Sequence, residues 1–184
     1  MADIFVGGFG DGDTGKAIVG SYVHTYAATH EGAKYFDWDQ APEILKYLDA
    51  LPPTEQVDLI GHRYGGDTAA NIAARYGRRI NVLVTIDPVG HTGKATLGLI
   101  KSNSTVRVDV SAKPKGWFNG SNIVAGIGSD WGDAPKGIAG VYIEAPFDHE
   151  QFEPLVNAPG PDGLSAAMIL ERDRAAAAIL APVK

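Results

Sequence analysis

The sequence predicts an α/β protein with a mostly parallel central sheet and helices on both of its faces, and three observations carry that prediction. Short apolar runs alternate with helical patterns along the chain, as strand–helix–strand units require. One run, INVLVTI from Ile80 to Ile86, is a nearly continuous β-branched stretch, the composition of a parallel strand covered on both faces. The stretch VDLIGHRYGG, Val57 to Gly66, reads as a strand, a very tight turn and a helix, because glycines flank a turn whose apex is Arg63.

A chain of 184 residues holds one well-packed core, so a single domain over 1–184 is expected. Hydrophobic residues at 45% and charged residues at 21% are ordinary for a soluble globular protein and exclude a disordered or fibrous class. A net charge of −6, with no basic cluster longer than Arg78-Arg79, argues against a nucleic-acid partner. The absence of cysteine removes disulfides, thiolate metal sites and a cysteine nucleophile. The opening MADIFVGGFG lacks a basic region followed by a long apolar stretch, and no run reaches membrane-span length. The expected location is the cytoplasm, or outside the cell by a route without a visible signal peptide. Nothing in the sequence specifies an oligomeric state.

Taken in order, Ile4 to Val6 form a buried strand that opens into Gly7, Gly8, Phe9 and Gly10. Gly10, Gly12 and Gly15 match G-x-G-x-x-G, and Gly10 to Lys16 fit the start of a P-loop. Asp11 and Asp13 place carboxylates where phosphate must sit, and Ala17 stands where a P-loop needs a hydroxyl, so nucleotide binding through Gly10–Gly15 ranks third among the functions considered. A calcium loop is disfavoured by Gly15 and by the lack of a closing glutamate. The loop is otherwise a plain glycine turn or one that aims backbone N–H groups at an oxyanion.

Ile18, Val19, Tyr22, Val23 and Tyr26 predict a helix over 16–28, Ala33 to Trp38 a second strand, and Ile44, Tyr47, Leu48 and Leu51 a helix capped by Asp39 and stopped by Pro52-Pro53. The central strand Val57 to Ile60 feeds the turn, and Ala69, Ile72, Ala73 and Tyr76 give the next helix a small apolar face. Val106, Val108 and Val110 alternate with Arg107 and Asp109, which predicts a half-exposed strand toward the sheet edge. Residues 113–139 are glycine-rich and carry Trp117, Phe118 and Trp131: a lid or substrate wall, or an irregular loop pinned by buried aromatics. A last strand around Val141 and Ile143 and a helix from about Ser165 to Leu180 close the chain.

The central turn resembles the nucleophile elbow of the α/β-hydrolases, Gly-x-Ser-x-Gly, with Gly61, His62, Tyr64 and Gly65 in place and Arg63 where the serine should be. The resemblance implies a lipase- or esterase-like carboxylic ester hydrolase acting on a small ester or lipid-like substrate, with no cofactor or metal. It makes Asp87 the acid and His149 the base, in the family's chain order, with Phe9 and Tyr64 as oxyanion donors and Trp117, Phe118 and Trp131 against the substrate. Asp148 and His91 are the rival acid and base, and His62 is read as packing or hydrogen-bonding locally, with no chemical role. A guanidinium stays protonated and cannot attack a carbonyl, so the chain as written should be inactive, either as an engineered knock-out or as a natural relative that lost its chemistry. The alternative is a binding module in which Arg63 grips an anionic ligand in the old active site.

Overall fold

A computed structural model describes residues 1–11, 22–90, 94–114, 131 and 134–180. Six strands form one sheet: β1 (Ala2–Gly7), β2 (Lys34–Asp37), β3 (Val57–His62), β4 (Ile80–Ile86), β5 (Ser104–Ala112) and β6 (Val141–Ala145). Their order is β2-β1-β3-β4-β5-β6, and every neighbouring pair is parallel. The helices are α1 (Tyr22–Ala28), α2 (Ala41–Ala50), α3 (Tyr64–Arg75), α4 (Lys94–Asn103), α5 (Phe152–Val156) and α6 (Ala166–Leu180).

Successive side chains of a strand point to opposite faces, and here both faces are covered. Phe5, Ile60, Val82 and Val84 pack with Val23 of α1, Phe152 and Leu155 of α5 and Leu170 of α6. Ile4, Val6, Leu59 and Leu83 pack with Ile44 and Leu48 of α2, Ala69 and Ala73 of α3 and Ile100 of α4. Burial on both sides is why the central strands read as unbroken apolar runs.

The connection from β2 returns past β1 to place β3 on its other side. That reversal opens a crevice between the carboxyl ends of β1 and β3, where sheets of this kind bind ligands.

The fold departs from the sequence expectation at several places. Helix α2 has Gln40 rather than Asp39 as its N-cap, and no side chain caps it; Pro42 lies in its first turn and fixes the entry there instead. Strand β5 lies next to the edge strand β6, as expected, but is more buried than a half-exposed strand. Its Asp109 is buried because the Thr85 hydroxyl donates to it at 2.6 Å, so a polar residue of the alternating pattern faces the core instead of water. Helices α4 and α5 are additional elements, and the described part of the first helix begins at Tyr22. Most of the 113–139 segment, with Trp117 and Phe118, and the glycine-loop positions Gly12, Asp13, Gly15, Lys16 and Ala17 fall outside the described residues, as does His91.

Candidate active site

The site begins with the close approach of β3 and α3. A Cβ on Gly61 would stand 2.3 Å from the carbonyl oxygen of Gly65, and one on Gly65 only 2.1 Å from that of Val6, so no side chain fits at either position. Between them the backbone of Arg63 is held at φ 52°, ψ −121°, outside the regions that residues with side chains ordinarily occupy. Hydrogen bonds fix it there: its N–H donates to the Ile86 carbonyl at 3.0 Å, and its own carbonyl accepts from Gly66 and Val89 at 2.9 and 3.1 Å. Arg63 is 8% exposed.

Asp87 follows β4 and is likewise left-handed, at φ 47°, a conformation aspartate tolerates better than most residues. Among the described residues, Arg63 and Asp87 are the two non-glycine positions with positive φ. The buried Asp87 carboxylate accepts the Ala112 N–H through Oδ1 at 3.0 Å and a ring nitrogen, Nδ1, of His149 through Oδ2. This contact with Asp87 holds the ring at one nitrogen and directs the other, Nε2, away from the acid. Asp148 instead turns its backbone N–H to the Gln151 side chain.

A second buried histidine–carboxylate contact lies beneath the first. His62, wholly buried, places Nδ1 at 2.6 Å from Asp11 Oδ2 and donates from Nε2 to the His149 carbonyl at 2.8 Å. Burial pushes the Asp11 carboxyl up, but the neighbouring His62 charge, the hydrogen bonds from His62 and Gly8, and the Arg63 charge outweigh it and hold the group below its ordinary value. Both ring nitrogens of His62 thus face an oxygen of a neighbouring loop. His62 therefore links the loop after β1 to the loop that carries His149. Its hydrogen bonds are not the local ones its sequence position suggests; its polar partners lie 51 and 87 residues away, a separation that no motif marks.

The remaining candidates are spread around this centre. Phe9 is 47% exposed beside Gly8, whose N–H donates to Asp11 at 2.6 Å. Tyr64 opens α3, where the helix supplies no acceptor for the first N–H groups, and its ring lies 5.4 Å from that of Trp38. Trp131 is buried in the cluster with Ile100 and donates its indole N–H to Asp67 Oδ1 at 3.0 Å, the setting of an anchor for its segment. Among the described residues no group of three or more His, Asp or Glu has the arrangement of a metal site, and no helix is long and apolar enough to cross a membrane.

No protein-family model matches the sequence, and no curated protein matches it. Among solved structures the chain is similar to the type II thioesterase YbtT from the yersiniabactin NRPS/PKS biosynthetic pathway, in a serine-to-alanine mutant form. The TM-score is 0.47 and the identity 9%, over 84% of this chain and 87% of that one.

Proposed function

We propose that the chain is a carboxylic ester hydrolase scaffold of the α/β-hydrolase type in which Asp87 and His149 form the acid–base pair and Arg63 occupies the nucleophile position. One observation carries the reading: the two left-handed non-glycine residues, Arg63 and Asp87, stand at the carboxyl ends of adjacent strands, and Asp87 holds His149 by a ring nitrogen. Strained backbone is tolerated where surrounding structure enforces it, and it concentrates at sites of chemistry.

With a hydroxyl at position 63 the steps balance without any other reactant than water. His149 Nε2 takes the hydroxyl proton as the oxygen attacks the ester carbonyl carbon, and then gives that proton to the departing alcohol. Water repeats the sequence on the acyl intermediate, releasing the acid and restoring the hydroxyl. The N–H groups of Phe9 and Tyr64 serve as the oxyanion donors in this reading. The guanidinium of Arg63 has no lone pair to offer, so the protein as written turns over no ester. On a short-chain chromogenic ester the Arg63→Ser variant should gain hydrolysis that the parent lacks. Silence in both, with the variant folded, would contradict the assignment of Asp87 and His149.

A further inference from the structure

We propose that Arg63 and the opening of α3 form a receptor for a small monoanionic carboxylate with a short apolar tail. The ligand class rests on the hydrolase reading, since such an acid is what an ester hydrolase of this kind releases.

Arg63 is only 8% exposed, its Nε has no hydrogen-bond partner, and no carboxylate among the described residues forms an ion pair with it. A guanidinium taken out of water without a paired anion is costly, and a bound anion offsets that cost. The side chain leaves the elbow beside the end of β1: a Cβ on Gly8 would meet Arg63 Cβ at 2.8 Å. Its Cβ therefore sits at the crevice between β1 and β3. Asp11 feels the Arg63 charge but forms no ion pair with it, and its Oδ2 is engaged by Gly8 and His62. Helix α3, 12 residues long, begins at the next residue and adds the partial positive charge of its first N–H groups.

The geometry of the group selects the ligand. Nε and a terminal nitrogen of one guanidinium edge match the two oxygens of a planar carboxylate. The Asp11 and Asp87 carboxyl groups, both in the same site, disfavour a dianion such as phosphate more than a monoanion. The exposed ring of Phe9 offers apolar surface for the tail.

The test uses the full chain at neutral pH and constant ionic strength, titrated with acetate, butyrate and inorganic phosphate. Thermal unfolding should shift upward and saturate with butyrate, more weakly with acetate and least with phosphate. The Arg63 Nε–H resonance, assigned by its loss in Arg63→Gln, should move along the same isotherm. Arg63→Lys keeps the charge without the fork and should weaken binding about tenfold or more, and Arg63→Gln should abolish it. Unsaturable shifts, equal shifts in Arg63→Gln, or phosphate binding as tightly as butyrate would each overturn the proposal. Carboxylate binding by a chain whose Arg63→Ser variant hydrolyses nothing would keep the receptor and remove the hydrolase reading. Ester turnover by that variant without carboxylate binding in the parent would do the reverse.

Discussion

Arg63 combines two costs at one residue: a left-handed backbone with a bulky side chain, and a buried charge without an ion-pair partner among the described residues. The backbone part alone is on the order of 1–3 kcal/mol. Replacement by glycine relieves both, so Arg63→Gly should raise the free energy of unfolding by about 1 kcal/mol or more in urea titration. A loss of stability would mean that the arginine side chain makes packing contacts that outweigh the strain. The elbow itself is legible in the sequence, because Gly61, Gly65 and Gly66 bracket the apex within a few residues. The pairing of Asp11 with His62 is not. It depends on where the sheet brings two loops together, and in the sequence Asp11 speaks only through its effect on a hypothetical phosphate.

At the scale of elements, the central strands are readable because burial on both faces writes itself as uninterrupted apolar sequence, as in β4. Helix α4 lacks a comparable signal: KATLGLIKSN mixes glycine and polar residues, and its Ile100 gains burial from tertiary packing on the α3 side of the sheet. The underestimated burial of β5 has the same origin. Arg107 and Asp109 look like solvent-facing positions until Thr85 and neighbouring backbone carbonyls supply their hydrogen-bond partners. The glycines of α3 bring its backbone against β1 and β3, which leads to a prediction free of catalysis. Gly65→Ala sets a methyl carbon against the Val6 carbonyl, and neither backbone can yield without moving the sheet. It should cost about 3 kcal/mol or more in chemical denaturation. A neutral outcome would show that the elbow has more room than these close approaches leave it.

Across the whole molecule the two ends of the sheet hold opposite kinds of polar group. The carboxyl ends carry the histidine–carboxylate contacts of the site, whereas the other end gathers Asp3, Asp58 and Asn81 against Asp173 and Arg174 of α6. There burial, with the charges of Asp173 and Asp3, pushes the Asp58 carboxyl up to about 8 despite the Val82 N–H and Asn81 bonds. Asp58 in the folded chain thus keeps a proton that the unfolded chain gives up near pH 4. Stability should fall as pH rises between those values, by at most about 1.4 kcal/mol per unit from this group, and level off above pH 8. Asp58→Asn should flatten that slope in denaturation curves taken from pH 5 to 8; an unchanged slope would assign it elsewhere. At the opposite end, the central claim is that the sheet positions an activated residue at 63 opposite His149. The most direct measurement is to treat Arg63→Ser, and the same protein also carrying His149→Ala, with a fluorophosphonate ester and to map the adduct by mass spectrometry. Stoichiometric phosphonylation at position 63, lost when His149 is removed, is the predicted result. No adduct at 63 in the folded single variant, or labelling indifferent to His149, would contradict that claim.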